Sequence, residues 1–149
     1  MTRLMLLGFY LMALPVFTFG QKAKVEIAEI KKVVWQETDA YFRQDYQAWR
    51  KCWAHTESVT WTAATRDGVS QYRGWEELSR EFLKIMKGGP SKYQVRFTQY
   101  NFDVHLYENG ALVFFEQDMG SRSREMRVLE KINGKWKLVV AQVVYNVGW

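Results

Sequence analysis

The chain has 149 residues and a formal net charge of +5, with 48% apolar and 25% charged residues. These are ordinary values for a single globular domain, and they exclude a disordered, collagen-like or disulfide-scaffold chain. The basic residues alternate with acids instead of forming a stripe of one sign, so we expect no nucleic-acid partner. Aromatic residues are in excess, since the chain contains seven Trp, eight Tyr and nine Phe.

Residues 1–20 have the layout of a secretory signal peptide. One basic residue, Arg3, precedes an apolar run over Leu4–Leu14, and small residues follow that run. The apolar run is shorter than the roughly 20 residues that a membrane-spanning helix needs. We therefore predict cleavage ahead of Gln21, a mature domain over 21–149, and export to the periplasm or the medium. We expect no membrane span in the mature chain.

Two helices are predicted at the start of the mature domain. Apolar residues recur at three- and four-residue spacing between Val25 and Arg43, which is typical of an amphipathic helix. The side chain of Asp45 then offers a cap to a shorter helix over residues 46–54. We expect Cys52, the only cysteine in the chain, to be buried beside the tryptophans of this second helix.

A pair of strands and a third helix are predicted next. Residues 58–63 alternate between apolar residues and threonines, as in a half-buried strand, and Asp67-Gly68 turns the chain into a short return strand over 69–73. Residues 74–87 form the clearest helix, because acids lie at its start, lysines lie at its end and a Gly-Gly-Pro sequence follows. The predicted buried stripe of this helix consists of Leu78, Phe82, Ile85 and Met86.

The rest of the chain is predicted to form an antiparallel sheet. Apolar residues occupy odd positions before Gln99 and even positions after Asn101, which requires one extra residue. We therefore predict a β-bulge between these two residues, where the side chains that face inward change parity. Asn109-Gly110 and Asn133-Gly134 each lie between alternating strands and predict two hairpin turns.

Two stretches of the chain resemble a known family. The sequence YRGWEEL at residues 72–78 and the sequence RVLEKINGKWKLV at residues 127–139 are similar to the nuclear-transport-factor-2-like (NTF2-like) superfamily, and in particular to its SnoaL-like branch. The resemblance covers the chain from about Val25 to Asn146. It implies an α+β fold in which a strongly curved, mostly antiparallel sheet wraps around helices to form a cone with one pocket. It also implies a homodimer joined through the sheet.

The resemblance leaves the reaction open, because members of the superfamily include isomerases, dehydratases, epoxide hydrolases, cyclases and modules that only bind or assemble. An isomerase-like or cyclase-like mechanism needs a carboxylate and a hydrogen-bond donor in an apolar pocket. Glu116 is the candidate carboxylate. The residues before it, 112–115, are apolar at both odd and even positions, so both faces of the strand are predicted to be covered and Glu116 can lie inside. His55 is the second candidate, since the resemblance places its loop near the pocket mouth. The alternatives are a cross-strand partner of an arginine for Glu116 and a surface or capping residue for His55.

The aromatic excess predicts a surface for a ligand. The ring-bearing candidates for ligand binding are Tyr41, Trp49, Trp53, Trp61 and Tyr72. Gln142 is the sixth candidate, because it is the polar residue on the face of the last strand that we predict to point inward, near where many SnoaL-like relatives carry a histidine. His55 and His105 lie far apart and Cys52 has no partner thiol, so the sequence predicts no metal site. We expect no cofactor.

Three functions follow from these predictions. The leading hypothesis is an exported domain that binds a small, largely apolar molecule. The alternatives are an isomerase, dehydratase or cyclase that uses a pocket carboxylate or histidine, and a dimerising interaction module without an open pocket. An enclosed cavity of roughly 300 Å³ or more that contains a carboxylate and a donor would favour the enzyme. A cavity lined by rings would favour the binding protein, and a filled core would favour the module.

Overall fold

The computed structural model describes residues 19–88 and 95–145, and its elements follow the predicted order. Their bounds are α1 Phe19–Phe42, α2 Tyr46–Cys52, β1 Thr60–Thr65, β2 Gly68–Arg73, α3 Trp75–Ile85, β3 Thr98–Leu106, β4 Gly110–Asp118, β5 Arg122–Ile132 and β6 Lys135–Tyr145. Most of the predicted signal peptide lies outside the described residues. Among the described residues, no helix combines the length and the apolar character needed to cross a bilayer.

All six strands form one open sheet in the order β2-β1-β6-β5-β4-β3. Neighbouring strands are antiparallel except β1 and β6, which pair in parallel. A parallel pair needs a long connection, and here β2, α3 and the strands β3 to β5 lie between β1 and β6 along the chain. The helix α1 packs against both β3 and β6, so the helices cover one face of the sheet. This is the predicted α+β architecture.

Local chemistry accounts for the turns and the helix starts. Asn133 and Gly134 adopt φ angles of 51° and 75°, as the two central residues of a type I′ hairpin turn require. Asp45 caps α2 by accepting a hydrogen bond from the backbone N–H of Ala48 at 2.9 Å, as predicted. Gly74 precedes α3 with a φ angle of 75°, a conformation that glycine adopts without the steric cost of a Cβ atom.

The predicted bulge in β3 is confirmed, and it lies slightly later than predicted. The register between β3 and β4 shifts between Tyr100 and Asp103, and Asn101 has a φ angle of 54°. Gln99 points inward before the bulge, whereas Phe102 points inward after it and stacks on a ring of β4. The extra residue therefore changes the inward parity, as the apolar pattern indicated.

A second bulge, in β6, was not predicted, and it overturns one expectation. Val139 is an extra residue relative to the facing strand β5. Ala141 and Val143 are consequently buried, whereas Gln142 is exposed on the outer face of the sheet. The prediction that Gln142 points into the pocket is wrong. Residues 138–144 are apolar at nearly every position, so their pattern could not reveal the change of parity.

Stacked rings make up much of the core between α2, α3 and the sheet. The ring of Trp49 stacks on that of Phe82, with centroids 4.4 Å apart, and Trp53 lies 5.6 Å from Trp49. Trp49 and Trp53 are fully buried, as is Phe82, so they fill the core. Cys52 is also buried, as predicted. The predicted stripe of α3 is wrong at one position, because the side chain of Ile85 is exposed.

Candidate functional site

A cavity of about 90 Å³ lies between α1, α3 and the inner face of the sheet. Half-buried rings line one part of it: Tyr41, Phe42, Trp61 and Tyr145. Buried side chains line the remainder: Glu37, Thr38, Phe82, Gln117, Glu125, Arg127 and Val143. The volume is that of about three water molecules. The cavity is therefore much smaller than the roughly 300 Å³ expected for a pocket that encloses a drug-sized ligand.

Three buried charged residues form the polar wall of this cavity. Arg127 Nη1 donates a hydrogen bond to Glu125 Oε2 at 2.9 Å. Arg127 Nη2 lies 3.7 Å from Glu37 Oε2, and all three side chains are at most 5% exposed. The hydroxyl of Ser123 donates a second hydrogen bond to Glu125, at 2.5 Å. One guanidinium group thus lies between two carboxyl groups inside the protein.

Two simple periodicities place these residues in the interior. Along β5, every second residue points inward, which places Ser123, Glu125 and Arg127 on one face. Along α1, Glu37 follows the buried Val34 by three residues and therefore lies on the apolar stripe of the helix. A carboxylate on an apolar stripe is the signal that could have identified Glu37 from the sequence, and our prediction missed it.

Burial has the largest effect on the pKa of the Glu37 carboxyl group. Burial raises its pKa above the ordinary value of 4.5, and this effect exceeds the opposing effect of the Arg127 charge. Trp49 Nε1 donates a hydrogen bond to Glu37 Oε1 at 2.9 Å, which also acts to lower the pKa. The net shift favours the protonated form, so Glu37 retains its proton at higher pH than an exposed glutamate does.

Two tyrosines supply neutral hydrogen-bond donors to the cavity. Burial raises the pKa of Tyr41, and the nearby Glu37 raises it further. Burial also raises the pKa of Tyr145 to about 12, with a smaller contribution from Glu125. Both hydroxyl groups therefore remain protonated over the physiological range, where each can donate a hydrogen bond.

A small hydrogen-bond network lies beside the cavity, where α1 meets β3 and β4. Gln99 Nε2 donates to Thr38 Oγ1 at 3.1 Å and to Gln117 Oε1 at 3.0 Å. These bonds join one residue from each of the three elements. They depend on the bulge in β3, because Gln99 points inward just before the parity changes.

The structure does not place Glu116 in the cavity, so that prediction is wrong. The buried residues of β4 are Ala111, Val113, Phe115 and Gln117, which leaves Glu116 on the outer face. Its carboxylate accepts a hydrogen bond from Asn101 Nδ2 at 2.9 Å. It also lies opposite Arg124 in the register of β4 and β5, which agrees with the alternative role as a cross-strand partner.

His55 also lies away from the cavity, contrary to the prediction. Its side chain is exposed, its Nε2 atom lies 2.9 Å from the carbonyl oxygen of Arg50, and its ring stacks on Trp75 with centroids 3.9 Å apart. It is a residue of the surface loop after α2, which was the alternative that we considered.

The five aromatic candidates divide into three groups. Tyr41 and Trp61 line the cavity, so their contact with a ligand stays a prediction. Tyr72 stacks against Trp61 with centroids 5.5 Å apart and supports that ring without lining the cavity. Trp49 and Trp53 belong to the core, which contradicts their predicted place in the lining. In the part of the chain that the structure describes, no three His, Cys, Asp or Glu side chains are arranged to hold a metal ion.

Neither a protein-family model nor a curated protein sequence matches this chain. Solved structures do match it. A protein proposed to be a dehydratase of the NTF2-like family, from Streptomyces avermitilis, has a TM-score of 0.69 at 13% identity, covering 85% of this chain and 99% of that one. An NTF2-like protein of unknown function from Silicibacter pomeroyi has a TM-score of 0.66 at 13% identity, with coverage of 83% and 98%.

A protein proposed to be a ketosteroid isomerase, from Parabacteroides distasonis, has a TM-score of 0.59 at 17% identity, and the match covers 77% of this chain and 86% of that one. At such identities the similarity establishes the fold alone, because this fold carries many unrelated activities. The predicted likeness to NTF2-like proteins is confirmed at the level of the fold.

Proposed function

We propose that this chain, which has the NTF2-like fold, binds a small molecule in the cavity between α1 and the sheet. The observation that carries the proposal is the buried arrangement of Glu37, Arg127 and Glu125 in the cavity wall. Replacing a buried ion pair by well-packed apolar residues is often neutral or stabilising. A ligand that uses these groups therefore explains them better than stability does.

The cavity suggests a ligand with two unlike ends. Its polar wall favours a hydrogen-bonding group, whereas the half-buried rings of Tyr41, Phe42 and Trp61 favour an apolar part. This differs from our expectation of a largely apolar molecule. Because the cavity has only the volume of about three water molecules, a larger ligand must extend outward past those rings.

The proposal can be tested by titrating the purified protein with a panel of compact carbonyl compounds. We expect a change in Trp fluorescence and a rise in melting temperature, because a ligand at about 100 times its Kd stabilises the folded state by about 2.7 kcal/mol. Trp61→Phe should reduce the fluorescence change, whereas Trp35→Phe, at an exposed position of α1, should preserve it. No change in either signal across a broad panel contradicts the proposal.

A second candidate function is acid–base catalysis, which the raised pKa of Glu37 favours. In this role the Glu37 carboxylate accepts a proton from the carbon atom next to the carbonyl group of a bound compound and later returns a proton to that carbon atom. Tyr41 and Tyr145 donate hydrogen bonds to the carbonyl oxygen of the compound. The test is exchange of the hydrogen atoms next to the carbonyl group in D₂O, followed by NMR. Glu37→Gln should abolish the exchange and retain binding. If wild type catalyses no exchange of any compound that it binds, this function is excluded.

We also propose that two copies of the chain pair through the outer face of the sheet, whether or not the cavity is occupied. Phe114 is 42% exposed there, and Met126 and Gln142 lie beside it in register on β5 and β6. Leu112 and Val128 form the next row. The apolar members of these two rows are Leu112, Phe114, Met126 and Val128. A group of adjacent apolar side chains on an otherwise polar face is typical of a surface that is covered by a partner.

A further inference from the structure

We propose that the cavity recognises a neutral hydrogen-bond acceptor, such as the carbonyl oxygen of a ketone, an aldehyde, an ester or an amide, and rejects a carboxylate of the same shape. The donor that recognises this oxygen is the guanidinium group of Arg127. The inference rests on the proposed binding function and adds the chemical class of the ligand.

The first step concerns the donors that Arg127 leaves unused. Its Nη1 atom donates to Glu125 and lies within hydrogen-bond distance of the carbonyl oxygens of Met126 and Gln142. Its Nη2 atom is 3.7 Å from Glu37 Oε2, beyond hydrogen-bond distance, and its buried Nε atom has no hydrogen-bond partner among the described residues. A buried donor without an acceptor is costly, so this side chain calls for an acceptor atom that the described residues do not supply.

The second step concerns the other polar groups of the cavity wall. The hydroxyl groups of Tyr41 and Tyr145 remain protonated, and the raised pKa of Glu37 lets its carboxyl group keep a proton to a higher pH than an exposed glutamate does. A protonated carboxyl group and a phenol can each donate one hydrogen bond. The wall is therefore rich in donors, and an acceptor on the ligand matches it.

The third step concerns net charge. Among the described residues, the charged side chains that line the cavity are Glu37, Glu125 and Arg127, and this part of the lining contains no Asp, Lys or His. Glu125 and Arg127 neutralise each other, and burial, which raises the pKa of Glu37, reduces the negative charge that this residue adds. A carboxylate ligand would compete with Glu125 for the one guanidinium group, inside a region where like charges interact strongly. A cationic ligand would meet the guanidinium group without a free carboxylate to balance it.

The test uses three molecules of nearly the same shape and different charge: propionate, propionamide and propionamidinium. Binding is followed by NMR through the Arg127 Nε–H and Trp61 Nε1–H resonances of ¹⁵N-labelled protein. The larger series of benzoate, benzamide and benzamidinium tests the same rule for ligands that reach the rings. We expect the neutral member of each series to bind at least about tenfold more tightly than either charged member.

Three Glu→Gln variants test whether the charge balance between Glu125 and Arg127 causes the preference for the neutral ligand. Glu125→Gln leaves the guanidinium charge unbalanced and should improve the affinity for propionate, relative to propionamide, by about tenfold or more. Glu37→Gln should change the preference less than Glu125→Gln does, because burial raises the pKa of Glu37 and so limits the charge that the substitution removes. Glu116→Gln, on the outer face, serves as the matched control and should change nothing.

The outcomes separate this inference from the binding function. Binding of a carboxylate or an amidinium as tight as that of the matching amide overturns the inference and leaves the binding function standing. A loss of preference in Glu37→Gln that equals that in Glu125→Gln overturns the assigned charge balance. Absence of binding by every member of both series overturns both proposals. The comparison of neutral and charged ligands in the wild-type protein tests the inference even if Glu125→Gln does not fold.

Discussion

The indole N–H of Trp49 donates a hydrogen bond to the buried carboxyl group of Glu37, with a distance of 2.9 Å between Nε1 and Oε1. This bond joins α2 to α1 at the point where the aromatic core meets the polar wall of the cavity. Trp49 was predicted to line the pocket, and it acts on the cavity indirectly, as a donor behind Glu37.

Trp49→Phe tests how much this hydrogen bond contributes to the free energy of unfolding. The change leaves a buried carboxyl group with one partner fewer and removes part of a packed ring, so we expect a loss of about 2–4 kcal/mol in the free energy of unfolding. Urea denaturation measures it. The matched control is Trp35→Phe, because Trp35 is 49% exposed, and its effect should stay within about 0.5 kcal/mol. Equal losses in the two variants would contradict a specific role for the Trp49 bond.

Glu37 should make the protein less stable as the pH rises. Its pKa in the folded state lies above the ordinary value of 4.5. Between these two pKa values the folded state binds more protons than the unfolded state, so the free energy of unfolding falls with increasing pH. The stability contribution is fully present below the unfolded pKa and is lost as the pH rises through the folded pKa. Glu37→Gln should remove this component, and urea denaturation of both proteins across a pH series measures the difference. Parallel curves would contradict the raised pKa.

Glu26 should contribute stability that is lost as the pH falls, which is the opposite of the pH dependence expected for Glu37. It accepts hydrogen bonds from Lys131 Nζ at 2.5 Å and from Trp136 Nε1 at 2.7 Å, which joins the start of α1 to the hairpin of β5 and β6. These bonds lower its pKa, with the larger effect from Lys131. The contribution is therefore present above the ordinary pKa and is lost as the pH falls through the lowered value.

Glu26→Gln should cost about 1 kcal/mol at neutral pH, a value reduced for the partial solvent exposure of the site. Glu29→Gln, three residues further along the same helix, is the matched control and should have little effect. The loss is measured by urea denaturation, and it should disappear in acid. A loss of the same size in acid would show that charge is not its cause.

The junction ahead of Gln21 tests the proposed export. The helix α1 begins at Phe19, so cleavage there removes its first two residues and leaves the Glu26 contacts in place. We expect mass spectrometry of the protein from the producing cells to find Gln21 at the N-terminus, in the fraction outside the cytoplasm. Material that retains Met1 would contradict both the cleavage and the proposed mature domain.

Phe114→Glu tests the proposed dimer. A charged side chain in place of Phe114, among the apolar residues of the outer face, should prevent two sheets from packing, so we expect wild type to sediment as a dimer and the variant as a monomer. Val69→Glu is the control, because Val69 is exposed on the edge strand β2, away from these residues. A monomeric wild type, or a dimeric Phe114→Glu protein, would contradict pairing through this face.

Local chemistry in the sequence determined much of the fold. The turns at Asn133-Gly134 and at Asp67-Gly68, the cap at Asp45 and the ends of α3 each depend on residues within one short stretch. The β3 bulge was predictable for the same reason, since the apolar residues on either side of Asn101 change parity in the sequence itself. These features were therefore accessible without knowledge of the tertiary structure.

Only the tertiary structure decided which polar residues share the cavity. Glu116 and Gln142 lie in runs that are apolar at both parities, where alternation cannot tell the inner face from the outer one, and the bulge at Val139 left no trace in such a run. Glu37 and Arg127 are distant in sequence and meet because α1 packs across the sheet. Their charge balance and the raised pKa of Glu37 follow from shared burial, which is a property of the packed structure and of no single segment.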